Sequence, residues 1–449
     1  PADQMEAMSA QPLRDLDSLV CCVEEACTAG RALSEKEQGQ LECLAGKRPA
    51  LGVAREELAS LRSFSHRVWT ALAAADTPAL AGTPEAKLRQ LACEIYAAGC
   101  SGTYKPCLDE RAMAAAQWAL AGRAWAAAGA DEEALKCFHA ATEPWRKASV
   151  PGVEEAEEDA APHLAEAACQ AQLWLAASHF RRGAHDEAFT ALSAARDALG
   201  TSKDVEDVML DDLLRACYEQ AMAHREAGNP GLAVELLTLA VAALPSTSAQ
   251  PGAEPQVAAL DAPLRARLLR QLSLCYAELA DREAALAHAR EAVAAAPFLA
   301  GQHRALSLQA LLRVLCGHPG AAALPAGAED EVQRVAMSLM SQPEAKVEDC
   351  LAACSLLLAA GAREAAVDGC LEALGGRVRG DAGACCELLL FRLRLAAKGA
   401  EEALGSEDQA AVAARARLDE VVAEAEALGG EAGQQRPERA SRAVASALR

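Results

Sequence analysis

Cys350 and Cys354 stand one helical turn apart, the spacing at which two thiolates on one helix face could grip a soft metal ion. Their only soft neighbours in sequence are Cys370 and the pair Cys385-Cys386, and the nine histidines are scattered. None falls in a His-Glu-x-x-His pattern or partners a Cys-x-x-Cys pair, so these thiols are expected to pack as small hydrophobes and no metal site is expected. Glycine-rich stretches raise the question of a phosphate cradle, yet no G-x-x-x-x-G-K-[ST] or G-x-G-x-x-G follows a strand. Gly375-Gly376 instead reads as the cap closing a helix. Glu154, Glu155, Glu157, Glu158 and Asp159 form a charge block that reads as a solvated loop, or as a docking strip for a basic partner. Trp118, Trp125 and Trp145 could form a stacking box, but two of them occupy repeat positions and read as packing residues, as do Trp69 and Trp174. No catalytic residue and no cofactor are expected, and the chain does not read as an enzyme.

The elements that would position these side chains follow from composition. Of 449 residues, 52% are hydrophobic but only 3% aromatic, and alanine dominates stretches such as 124–130 and 284–296. Alanine is the best helix former and permits close helix contact, while the β-branched and aromatic enrichment of strands is missing. A single core stops growing at about 250–300 residues, so a chain of this length needs several domains or a stack of repeats. The formal charge of −21 argues against direct nucleic-acid binding. No apolar run is long enough to span a membrane, and the N-terminus carries no signal pattern. An odd count of 17 cysteines without a signal points to a reducing compartment rather than a disulfide framework. The missing initiator Met suggests a fragment or a processed form.

An internal repeat decides the fold class. From Ala115 to Arg146 the order Trp118, Ala121-Gly122, Trp125, Gly129, Ala134, Phe138, Ala141 is the tetratricopeptide pattern. Its large residues pack one helix on the next, Gly122 and Ala134 allow close approach, and Gly129 lies at the turn. The spacing returns around Gly183 with Ala188, Leu192 and Ala195, and around Gly228 with Ala233, Leu237 and Ala240. A fourth unit has Leu269, Leu272, Ser273, Tyr276, Ala285, Ala289 and Ala292, and a fifth, around Gly361, has Cys350, Cys354, Leu357, Ala366, Cys370 and Ala373. The chain is therefore expected to be all-α, a tetratricopeptide-like helical-repeat solenoid of antiparallel helix pairs.

Between the units, residues 150–162 and the Ser/Pro/Gly-rich stretch 246–263 read as loops. Residues 13–44 and 53–75 read as amphipathic helices, and 387–428 as further helices. The expected organisation is an N-terminal helical region over 1–114, tetratricopeptide-like repeats over 115–317, C-terminal helical repeats over 329–428 and a polar linker or tail over 429–449. The break at 318–328 is expected to bend one solenoid rather than divide domains.

In such arrays the first helix of each pair lines a concave groove. The register places Arg181, Arg215, Arg225, Arg267 and Arg270 on that face, where guanidinium groups would suit acidic peptides or a terminal carboxylate. These five are the candidate partner-binding residues, and the expected partners are other proteins. A protein-interaction scaffold is the function these features support.

Ser65-His66-Arg67-Val68-Trp69 with the alanine-rich helix after it, Lys87-Leu88-Arg89-Gln90-Leu91-Ala92, and the Trp118 to Ala141 unit together resemble the meiotic Zip-four family of tetratricopeptide sporulation proteins. The later unit from Leu268 to Ala292 and the His318-Pro319 stretch are similar in order. The resemblance covers residues 60–375, in a chain shorter than that family's members. It implies a nuclear, chromosome-associated scaffold joining recombination factors to chromosome-axis proteins in meiotic crossover formation. A general tetratricopeptide adaptor in a cytoplasmic or ciliary assembly is the alternative.

Overall fold

The computed structural model describes residues 16–29, 33–45, 55–74, 82–100, 104, 106–148, 161–200, 207–244, 255–295, 301–317, 328–362, 364–378 and 381–402, with 412, 416, 419–421 and 423. Among these residues the regular structure is helical and no strand occurs. The chain is an all-α helical-repeat protein. It divides into two compact units, residues 1–220 and 221–449.

The first unit holds α1 (Leu16–Ala29), α2 (Glu35–Ala45), α3 (Arg55–Ala74), α4 (Thr83–Gly99), α5 (Leu108–Ala127), α6 (Asp131–Ala148), α7 (Ala161–Arg181) and α8 (His185–Gly200). The helix α9 (Asp207–Glu226) crosses the division. The second unit continues with α10 (Pro230–Ala243), α11 (Pro255–Glu278), α12 (Arg282–Ala294), α13 (Gly301–Cys316), α14 (Glu329–Met340), α15 (Val347–Ala359), α16 (Glu364–Val378) and α17 (Ala382–Glu402). In the repeat pairs a first helix touches its own partner and the first helix of the next pair, whereas nearer the N-terminus α4 packs on α3 and on α5. Among the repeats α5 packs on α6 and α7, α11 on α12 and α13, and α13 on α14 and α15.

The pairs close through a recurring turn. The amide of Ala130 donates to the carbonyl of Trp125 at 3.0 Å while that of Gly129 donates to Ala126 at 3.2 Å. Together these form the hydrogen-bonded reversal that satisfies the last carbonyls of a helix and needs a left-handed residue after it. The same two bonds recur at Gly183, Gly228 and Gly361, whose φ values are 73°, 80° and 73°. In the fourth unit the residue is Ala280 at φ 61°, and Asp281 still donates to Tyr276 at 2.9 Å. Asp281 then caps α12 by accepting from the amide of Ala284 at 3.1 Å.

Counting from the turn fixes the buried stripe of each second helix. Ala134, Phe138 and Ala141, then Ala188, Leu192 and Ala195, then Ala233, Leu237 and Ala240, then Ala285, Ala289 and Ala292 are all fully buried. These are the small and large positions the repeat spacing predicts. A Cβ on Gly122 would lie 2.5 Å from Cε1 of Phe138, so α5 and α6 approach at a point that admits only hydrogen.

The structure corrects the sequence reading in several places. The stretch 246–263 is not wholly a loop, because α11 begins at Pro255 and runs through Pro263. The first-turn position of Pro255 leaves no helical hydrogen bond to lose. Gly375-Gly376 does not close a helix: both lie inside α16, which continues to Val378. The reason is Arg377, whose guanidinium donates to the carbonyls of Met340 and Ala345 at 3.1 and 2.8 Å and holds that last turn against the end of α14. In the fifth unit Cys370 is buried as the spacing predicts, while on either side of it burial falls one residue later. Val367 and Leu374 are buried there while Ala366 and Ala373 are half-buried. The carboxylate block at 154–159, the break at 318–327 and the tail at 429–449 lie outside the described residues.

Candidate partner-binding site

The partner face is defined by register. Thirteen residues before each turn residue stand Ala116 and Gln170 on α5 and α7, Arg215 on α9, Arg267 on α11 and Glu348 on α15. Ala116 and Gln170 are half-exposed, and Arg215, Arg267 and Glu348 are exposed. Chemically different side chains thus occupy one outward position, while the stripe facing the partner helix stays apolar and closed.

The five sequence-selected arginines fall into different environments. Arg215 and Arg267 are exposed on their first helices. Arg181 is exposed at the end of α7, where Nη2 donates to Asp131 Oδ1 at 2.8 Å and to Ser178 Oγ at 3.1 Å. Arg225 is clasped by α11, with Nε and Nη2 donating to Glu278 Oε1 at 2.8 and 2.6 Å and Nη1 donating to Gln271 Oε1 at 2.8 Å. Arg270 does not lie open. Only 7% of it is exposed, and Nη1 donates to the carbonyl of His303 and to Ser307 Oγ at 3.3 and 3.2 Å. Three residues beyond Arg267, it has rotated about 300° around the helix and points into the α11–α13 contact. The structure does bring Arg267 and Arg270 together around His303. Burial first, and then these two positive charges, push that imidazole below its ordinary range.

The tryptophans serve packing, with one consequence the sequence reading did not contain. Trp125 is buried and its Nε1 donates to Gln90 Oε1 at 2.7 Å. Trp118 and Trp174 pack on Ala119, Ala141 and Ala171, and Trp145 packs on the cluster Ala112, Ala115, Leu164 and Ala167. The outer face of Trp174 carries the Arg123 guanidinium, 5.3 Å from the ring centroid. Toward the other end of α5 and α7 a depression of about 510 Å³ opens, with Asp109, Met113 and Ala116 on one side and His163, Glu166 and Gln170 on the other. Residues 109, 113, 116, 120 and 123 recur at helical spacing, so this face was legible in the sequence.

Reactive chemistry is muted. Burial pushes the thiols of Cys137, Cys169, Cys217 and Cys354 up to about 12 and those of Cys275 and Cys370 to about 11, where the thiolate needed for metal binding or attack is scarce. All seventeen cysteines are free thiols. Among the described residues no three His, Cys, Asp or Glu side chains could together hold a metal ion, and no helix is long and apolar enough to cross a membrane.

Two of the segments behind the family resemblance, residues 65–69 and 87–92, form one interface. Ser65 Oγ on α3 donates to the carbonyl of Ala92 on α4 at 2.8 Å, and Arg89 stands 5.0 Å over the Trp69 ring. Those residues build a helix–helix contact.

Turns, register and packing together define a repeat protein of tetratricopeptide-type helix pairs with an open first-helix face. No family model matches the sequence, and no curated protein matches it. Among solved structures, a circular tandem repeat protein with novel repeat topology and enhanced subunit contact surfaces aligns with 94% of this chain and 98% of its own, at 13% identity and a TM-score of 0.25. The tetratricopeptide domain of P58(IPK) aligns with 89% of this chain and 100% of its own, at 16% identity and a TM-score of 0.20. The assignment to this repeat class rests on the turn and packing geometry described above.

Proposed function

We propose that this chain is a protein-interaction scaffold that holds partner segments along the outward faces of its first helices. The observation that carries the reading is the variable outward position at Ala116, Gln170, Arg215, Arg267 and Glu348, set on a recurring buried frame. A frame that fixes backbone while side chains vary is suited to recognition, since the groups that read a partner can change without disturbing the fold. Arg215 and Arg267 are the exposed cations of the set, and both suit a carboxylate on the partner. Arg270 is better kept out of a test, because a carboxylate there would be buried beside the carbonyl of His303. Affinity capture with the full chain should recover partners that Arg215→Glu and Arg267→Glu lose while the circular dichroism stays unchanged. Equal recovery by wild type and variants would reject the arginine face.

The finer reading is a meiotic crossover scaffold on chromosomes, joining recombination factors to axis proteins. It rests on the similarity of residues 65–69, 87–92 and 118–141 to the Zip-four family. Those residues pack helices together, so the similarity bears on architecture more directly than on partners. Imaging of the tagged protein in cells passing through meiotic prophase tests it. Discrete chromosomal foci are expected, and a signal confined to cytoplasm or cilia would favour a general adaptor.

A further inference from the structure

The outward face of α5 and α7 is polarised along its length. On α5 the residues at one azimuth are Asp109, Met113, Ala116, Leu120 and Arg123, each three or four positions after the last. The face therefore runs from a carboxylate through an apolar middle to a cation. Asp109 is exposed and makes no hydrogen bond or ion pair among the described residues. Across the depression the Glu166 carboxylate faces the imidazole of His163 at 3.9 Å. The middle carries Leu120, 38% exposed, one turn beyond half-exposed Ala116. At the far end the Arg123 guanidinium stands over the Trp174 ring, 5.3 Å from its centroid, a contact that leaves its charge in place.

We infer that this trough takes an extended segment of a partner protein bearing a Lys or Arg at one end, a large apolar residue in the middle and a carboxylate at the other. The basic head sits between Asp109 and Glu166, with its aliphatic stem along Met113 and Ala116. The apolar side chain lies on Leu120, and the carboxylate reaches Arg123. From Asp109 to Arg123 the helix rises about 21 Å, which an extended chain covers in about six residues. Three features favour a cationic anchor over an anionic one: the two carboxylates that rim the depression, the aliphatic floor between them, and the net charge of −21, which draws basic segments toward the whole surface. The polarity also sets which end of the bound segment lies where, because a cation at Arg123 and a carboxylate at Asp109 would put like charges together. This inference rests on the scaffold reading above and specifies one of its sites.

The test is selection of a random-peptide phage library on the immobilised full chain, in parallel with D109K/E166K and with R123E. All the substituted groups are on the surface, and circular dichroism checks that the variants keep their helix content. Enriched clones should carry Lys or Arg, then an apolar residue, then Asp or Glu, and should fall at least about tenfold on D109K/E166K, the loss of about 1.4 kcal/mol. The same double variant should enrich Asp or Glu at the first position, a compensation that simple damage would not produce. Clones with no charge order, clones indifferent to D109K/E166K, or an absence of enriched clones would each overturn the inference. The scaffold reading would still stand or fall separately, on capture through Arg215 and Arg267.

Discussion

Ala280 is the one described residue other than glycine held at positive φ, and it occupies the turn position that glycine fills at 129, 183, 228 and 361. A left-handed alanine costs roughly 1–2 kcal/mol that glycine escapes, partly offset by the larger entropy glycine loses on folding. Ala280→Gly should therefore raise stability by about 0.5–1 kcal/mol, and Gly228→Ala should lower it by a similar amount, both read as shifts in urea midpoint. The opposite sign at either position would contradict the turn assignment. At Gly122 the constraint is contact rather than φ. Gly122→Ala forces a methyl into the fully buried Phe138 ring and should cost about 1–3 kcal/mol despite the better helix former. The cost should shrink by at least about 0.5 kcal/mol in a Phe138→Leu background, and an unchanged cost would show that the ring is not the obstacle.

At the scale of elements, helix starts and ends are secured by side chains that reach across short distances. The start of α5 is an example: Glu110 accepts the Tyr104 hydroxyl at 2.5 and 2.6 Å and the Cys107 amide at 3.0 Å. The Tyr104 hydroxyl first, with the Cys107 amide adding to it, holds the Glu110 carboxyl below the usual carboxylate range against the opposing effect of burial. A carboxyl whose pKa is lower in the folded chain contributes stability above its unfolded value, about 4.3, and loses it as pH falls through the lower folded value. Glu110→Gln should therefore flatten the fall of stability with acid in that window, and Glu110→Ala should cost about 0.5–2 kcal/mol at neutral pH as a lost cap. Thermal melts from pH 3 to 7 measure both, and parallel wild-type and Gln curves would remove Glu110 from the account. Arg377 secures another end by reaching the carbonyls of Met340, at the end of α14, and of Ala345 in the turn beyond it, and α16 extends past two glycines.

For the whole molecule, an acidic surface holding exposed cations makes partner binding sensitive to salt. Capture through exposed Arg215 and Arg267 should weaken steeply between low and high ionic strength, as the screening length falls from about 30 Å at 0.01 M to about 3 Å at 1 M. Salt-independent capture would point to an apolar contact instead. Much of the fold was legible beforehand. The triplets at Ala134, Ala188, Ala233 and Ala285 and the turns at Gly129, Gly183, Gly228 and Gly361 are local features, set by helical period and by the sterics of one backbone angle. The site was legible only in part. Sequence register could place Arg267 and Arg270 three residues apart, but only tertiary packing decided that one stays in water and the other turns toward His303 and Ser307. It likewise put Arg123 on Trp174, and Asp109 across from Glu166, because each pair joins residues from different helices. The sequence by itself determined the helical repeats, since periodicity and turn chemistry act over a few neighbouring residues. The tertiary structure alone decided which charges are buried inside the protein and which stay exposed, since burial depends on what the next helix brings alongside.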